Sequence, residues 1–179
     1  MNNALTVGDI ANLQAPTLRV DTSLPAAIDI LLGHKINGAP VCDTNGSLIG
    51  FLSAHDIMVE FWCKDHQLDN SVKVGDLMKT NVAVIEASER LSDALEYLAL
   101  DMKQLYPTTD MGYATEMTTL SVEERAKSMK VSKPQILPVL DKGQYVGVIS
   151  RHEVLNAIRL LFDGSANLSI ADIVTANTA

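Results

Sequence analysis

Two short stretches carry residue types able to hold a small anion. Residues 50–56 read GFLSAHD and residues 147–153 read GVISRHE. Each runs glycine, two apolar residues, serine, two further residues and an acid. A serine between a strand and a helix sets its hydroxyl beside backbone N–H groups that lack an intrahelical acceptor, and that helix end carries partial positive charge suited to phosphate. On this chemistry Ser53 and Ser150 are candidate phosphate contacts, with His55, Arg151 and His152 next to them. The same spacing is that of a capping box, in which serine and the acid three residues on stabilise a helix start by about 1 kcal/mol. Taken singly, each stretch favours the cap.

The elements that position these stretches occur twice. VGDI at 7–10 returns as VGDL at 74–77, and Leu24, Ala27, Ile28 and Leu31 return as Leu91, Ala94, Leu95 and Leu98, all at an offset of 67. The match then resumes at a larger offset, APVCDTNGSLIGFLSAHDIM from Ala39 answering LPVLDKGQYVGVISRHEVL from Leu137. The second copy therefore carries an insertion of about thirty residues. In each copy the β-branched stretches TLRVD and VAVIE predict a strand, with Ser23 and Ser88 as expected N-caps. Apolar residues at spacings of three and four, continuing through Met102 and Leu105 in the second copy, predict a helix. Asn45-Gly46 and Lys142-Gly143 predict hairpin turns, and a closing helix follows each serine. The expected fold is α+β, two βαββα repeats packed as one pseudo-two-fold module. Repeat 1 covers 1–73, repeat 2 covers 74–167 with an insertion at about 103–135, and 168–179 form a tail whose IADIV echoes the lead-ins.

Bulk properties exclude several classes of function. With 47% hydrophobic and 20% charged residues, the 179-residue chain has the balance of a folded protein. A net charge of −8 argues against a nucleic-acid backbone or an anionic membrane as the main partner. No apolar run approaches the roughly 20 residues that span a bilayer, and MNNALTVGDIANLQ lacks the features of a signal peptide, so a cytoplasmic location is expected. Cys42 and Cys63 fit a reducing compartment. The cluster CKDH at 63–66 lacks zinc-site spacing, and no nucleophile elbow, P-loop or dinucleotide fingerprint is present. No metal, catalytic residue or required cofactor is expected, and the chain reads as a non-enzyme.

The duplicated unit, the Pro-Val opening each hairpin and the G-x-x-S-x-x-D closing the first resemble a tandem pair of cystathionine-β-synthase (CBS) domains, a Bateman module. The resemblance leaves out roughly 103–135 and the last dozen residues. It implies a freestanding regulatory module that binds an adenosine-type ligand, AMP, ADP, ATP or S-adenosylmethionine, in the cleft between repeats. It further implies signalling to a partner protein and assembly as a homodimer. By the same resemblance Asp56 accepts from both ribose hydroxyls, and adenine contacts come from Thr17, Asn37, Gly38, Ala39 and Pro40, answered in the second copy by Asn81, Gln135, Ile136 and Leu137. Gly38 and Ala39 leave room for a flat ring; Leu137 leaves less. Glu153 departs from the family's aspartate, its extra methylene weakening a ribose contact, while Arg151 offers a fork for phosphate. The alternative is a scaffold that no longer binds a ligand, or that edge-strand starts at Pro40 and Pro138 and helix caps explain these residues. The insertion, with SVEE at 121–124 as a further cap and Tyr106, Met111, Tyr113 and Met117 as packing matter, reads as a partner-binding flap or as an excursion folding on its own module.

Overall fold

The computed structural model describes residues 5–65, 71–100 and 135–162 of the 179-residue chain. Met102, Leu105, nearly all of the insertion and the tail, with the features assigned to them above, lie outside the described residues.

The first repeat runs α1 (Val7–Ile10), β1 (Leu18–Arg19), α2 (Leu24–Gly33), β2 (Gly38–Cys42), β3 (Leu48–Ser53) and α3 (Ala54–Cys63). The second runs α4 (Val74–Leu77), β4 (Ile85–Glu86), α5 (Leu91–Ala99), β5 (Ile136–Asp141), β6 (Gln144–Ser150) and α6 (Arg151–Phe162). The described strands form two three-stranded sheets, ordered β1-β2-β3 and β4-β5-β6. In the first, β1 lies parallel to β2 with Leu18 opposite Val41, and β2 lies antiparallel to β3 with Gly38 opposite Ser53. In the second, β4 lies parallel to β5 with Ile85 opposite Val139. At Lys142-Gly143 both residues take positive φ, 52° and 79°, as a two-residue hairpin turn demands.

Several local expectations are corrected. Ser23 is the N-cap of α2, but its side chain makes no cap bond, and Pro25 already removes one of the N–H donors a cap would satisfy. Helix α5 starts after Arg90 rather than Ser88, because Asp93 accepts from the Arg90 N–H at 2.9 Å. Pro40 and Pro138 stand in the central strands β2 and β5, not at edges. Pro40 is tolerated there for a geometric reason. Its partner Phe51 spends its N–H and C=O on Lys79, both at 2.9 Å, so Pro40 and Phe51 form a non-hydrogen-bonded pair and no donor is required toward β3.

The contacts divide the chain into two units that do not follow the repeats. One gathers the described residues within 1–10, 88–137 and 149–179, the other those within 11–87 and 138–148. One core cluster lies in the second unit. Leu24, Ala27 and Leu31 of α2 pack with Leu18, Ala39, Val41, Leu52, Ile57 and Val74, and each fully buried leucine contributes on the order of 2 kcal/mol. In the first unit α5 buries Ala94 and Leu98, on the face the apolar spacing predicts, and α6 buries Val154 and Ala157.

Residues 138–148 join 11–87 through the pairing of β5 with β4 and through a crossing of segments. Asn12, just after α1, pairs with Val148 on β6 through hydrogen bonds of 2.8 and 3.1 Å. Lys79, at the equivalent place after α4, pairs with Phe51 on β3. Each repeat's lead-in thus crosses the other repeat's last strand. The crossings set the residue beside them: a Cβ on Gly50 would lie 2.7 Å from Met78 Sδ and 3.0 Å from the Lys79 carbonyl, and a Cβ on Gly147 would lie 2.5 Å from the Asn12 carbonyl oxygen. The glycine of each repeated stretch is there to let a backbone pass.

Candidate functional site

Back-reaching acids start five of the six described helices. Asp9, Asp56, Asp76, Asp93 and Glu153 accept from the N–H three residues earlier, at Thr6, Ser53, Lys73, Arg90 and Ser150. Capping therefore accounts for the acid in both stretches, and only what surrounds each cap can distinguish it from an ordinary helix start.

The first-repeat residues lie in the unit of 11–87 and 138–148. Because β1 and β2 are parallel and β3 is antiparallel to them, the starts of β1 and β2 and the end of β3 share one edge of the sheet. That end of the sheet gathers Asn37, Gly38 and Ser53, while Thr17, one residue before Leu18, comes level with Pro40; the Ala54 N–H donates to the Asn37 carbonyl at 2.8 Å, tying α3 to the start of β2. Thr17 and Asn37 are exposed, whereas Gly38, Ala39 and Pro40 are buried. The room expected beside Gly38 is occupied: a Cβ there would lie 2.6 Å from the Phe51 ring and 2.9 Å from the Leu52 carbonyl. His55 points into solvent.

Asp56 is divided between two tasks. Its Oδ2 accepts from the Ser53 N–H at 3.2 Å and from the Ser53 hydroxyl, while Ser53 Oγ accepts from the Asp56 N–H at 3.2 Å. Its Oδ1 lies 2.6 Å from the Lys79 ammonium. The Asp56 side chain is 11% exposed and that of Lys79 66%. Burial pushes the Asp56 carboxyl up, but hydrogen bonds from Lys79 and Ser53 and the lysine's charge outweigh it and hold the group below the usual carboxylate range. Sequence reasoning missed Lys79. The one available signal was positional, since Lys79 is the offset-67 counterpart of Asn12.

Ser150, Arg151, His152 and Glu153 lie in the other unit. Glu153 Oε2 accepts from the Ser150 N–H at 2.8 Å and from the Ser150 hydroxyl, so the extra methylene is absorbed by curling back onto the cap. The His152 N–H donates to Ser150 Oγ at 3.1 Å, and the His152 side chain is exposed. Arg151 is turned onto protein: Nε and Nη2 donate to the Leu98 carbonyl near the end of α5, at 3.1 and 3.0 Å. Of the further residues, Leu137 is buried and Asn81 and Gln135 are exposed. Elsewhere in the unit that holds the first-repeat edge, burial pushes the Tyr145 phenol up to about 12, helped by Cys42, and leaves its oxygen without a hydrogen-bond partner. Burial likewise raises the Cys42 thiol, with Asp43 adding to it. Among the described residues no group of three or more His, Cys, Asp or Glu could hold a metal ion, and no helix is long and apolar enough to cross a membrane.

Duplicated βαββα elements closed by serine-capped helices define a repeat-built α+β protein. A family model of the CBS domain matches residues 7–62 and 119–160, more than half of the chain. The chain belongs to the CBS-domain family and carries a tandem, Bateman-type pair of such domains. An uncharacterized protein of Methanocaldococcus jannaschii is 26% identical over 147 residues, 77% of this chain and 82% of that one. The chloroplastic CBS domain-containing protein CBSX2 of Arabidopsis thaliana is 26% identical over 161 residues, 87% of this chain and 64% of that one. The crystal structure of CBSX2 in complex with AMP shares the fold, with a TM-score of 0.60 at 23% identity over 88% of this chain and 98% of that chain. So does the CBS domain pair of protein MJ0100 in complex with 5′-methylthioadenosine and S-adenosylmethionine, at a TM-score of 0.55 and 19% identity over 90% of this chain and 98% of that one. A match to homoserine O-acetyltransferase of Methanocorpusculum labreanum spans 24% of that enzyme's length.

Proposed function

We propose that this chain is a non-enzymatic regulatory module that binds an adenosine-type nucleotide and reports its presence to a partner protein, with no cofactor required. The observation that carries this reading is the end of the first repeat's sheet, where the exposed Asn37, the Ser53-capped start of α3 and the Asp56 carboxylate stand together, with the exposed Thr17 preceding the neighbouring strand β1. There the helix start suits a phosphate and the carboxylate suits ribose hydroxyls. The adenosine compounds named with CBSX2 and MJ0100 support the same ligand class. Binding acts on a partner only through unequal affinity for two conformations of the module. Homodimerisation belongs to the proposal as well, supported by Met58, Phe61 and Trp62, which expose apolar surface on one side of α3.

A second reading, a scaffold for protein interaction without a ligand, is favoured by Arg151 bonding Leu98 and by Phe51 filling the space at Gly38. A thermal-shift panel with AMP, ADP, ATP, NAD and S-adenosylmethionine separates the two, because a ligand that binds only the folded state raises its apparent stability. We expect a shift with at least one nucleotide, abolished in Asp56→Ala and largely kept in Glu153→Ala. No shift at millimolar ligand decides for the scaffold.

A further inference from the structure

The Asp56 carboxylate has one oxygen committed to the helix and one committed to a cation. Oδ2 takes both Ser53 donors, so Oδ1 is the oxygen left for a ligand hydroxyl, and Lys79 already sits 2.6 Å from it. The base of Lys79 is fixed, since its N–H and C=O are both bonded to Phe51 and its carbonyl passes 3.0 Å from where a Cβ on Gly50 would fall. Its side chain is 66% exposed and able to swing about that base. A single ion pair whose cation is solvated in this way exchanges readily.

We infer that Lys79 selects the ligand at the first-repeat edge, favouring an adenosine compound that carries phosphate over one that is uncharged or cationic there. The inference rests on the nucleotide reading above and names the ligand chemistry within it. A hydroxyl arriving at Oδ1 has to share that oxygen with the ammonium or displace it. A displaced ammonium loses its counter-charge, and a phosphate supplies a new one in the form that lysine binds as a point charge. Adenosine supplies nothing in exchange. S-adenosylmethionine places a sulfonium cation in the same region, adding like-charge repulsion. The capped start of α3 adds its partial positive charge in the same direction. On this reasoning Lys79 favours, in this chain, a ligand of the kind named with CBSX2, AMP, over the sulfonium and thioether nucleosides named with MJ0100.

Isothermal titration with AMP, adenosine and S-adenosylmethionine tests this on wild type, Lys79→Met and Lys79→Arg. A charge-assisted hydrogen bond predicts that wild type prefers AMP to adenosine by about ten- to a hundredfold, with S-adenosylmethionine no better than adenosine. In Lys79→Met the preference should collapse to within about threefold, through weaker AMP binding with adenosine unchanged or tighter; Lys79→Arg should keep most of it. An undiminished preference in Lys79→Met, or S-adenosylmethionine bound by wild type as tightly as AMP, overturns the role of Lys79 and leaves the nucleotide reading standing. If wild type binds none of the three, the nucleotide reading falls and this inference with it. The wild-type series needs no variant to fold, and matching circular dichroism for Lys79→Met confirms that its loss of preference is local.

Discussion

Ser53 with Asp56 and Ser150 with Glu153 are the same device in two settings. Both acids take the serine N–H and hydroxyl, and both serines accept a backbone N–H from the first turn, from Asp56 at one cap and from His152 at the other. The cations beside them are used in opposite ways. Arg151 faces inward to a carbonyl of its own unit, where it finishes the end of a helix. Lys79 arrives on a crossing backbone segment, stays exposed and rests on the carboxylate itself. A duplicated cap thus becomes a binding candidate through the charge brought to it, not through the serine and acid that drew notice first.

The crossings give the comparison its largest test. Gly147→Ala sets a methyl 2.5 Å from the Asn12 carbonyl oxygen and 3.1 Å from Leu13 Cα, so backbone has to move. Gly50→Ala meets first the Met78 sulfur, the end of a flexible chain, and then the Lys79 carbonyl at 3.0 Å. Overpacking of this kind costs about 1–3 kcal/mol, and we expect about 3 for Gly147→Ala and about 1–2 for Gly50→Ala. Urea denaturation reads both. Equal losses would mean that Met78 has no more freedom than backbone.

The two cations should separate next. Arg151→Met leaves the Leu98 carbonyl without its two guanidinium donors, and about 1–2 kcal/mol of stability should go with them. Lys79→Met removes an ion pair that is exposed at its lysine end and should cost about 1 kcal/mol or less. Thermal melts of both variants check the order. A larger loss at Lys79 would make it a structural residue and weaken its assignment as a ligand selector.

What could be read from the chain follows the reach of each signal. Apolar spacing and turn residues are local, so the doubled order of elements, the buried faces of α2 and α5 and the Lys142-Gly143 turn were all legible. The phosphate chemistry of Arg151 was a reading of residue type alone. Its bond to Leu98 joins residues 53 apart, with no spacing rule to announce it. Gly38 was read as space for a ring, and a ring lies there, but it belongs to Phe51. The contact of Lys79 with Asp56 was hidden for a related reason. Backbone pairing between distant segments imposes almost no side-chain pattern, and its one trace, glycine at 50 and again at 147, was already visible without its cause.

The smallest expected effect bears most directly on why the caps differ. Asp56 has its carboxyl held below the usual range, so its ionised form is favoured more in the folded chain than in the unfolded one. The stability this adds is fully present above the unfolded carboxylate value, near pH 4, and is lost as pH falls through the lower folded value. Melting temperatures of wild type and Asp56→Asn should therefore differ by a constant amount above about pH 5, with the gap narrowing only in the acid region below about pH 4. Lys79 is one of the two partners that hold the carboxyl down, and Ser53 is the other. Lys79→Met should accordingly move the narrowing to higher pH without removing it, since the serine remains. A gap whose pH course is the same with and without Lys79 would show that the serine alone sets this carboxylate, and that the crossing lysine contributes nothing to the cap it touches.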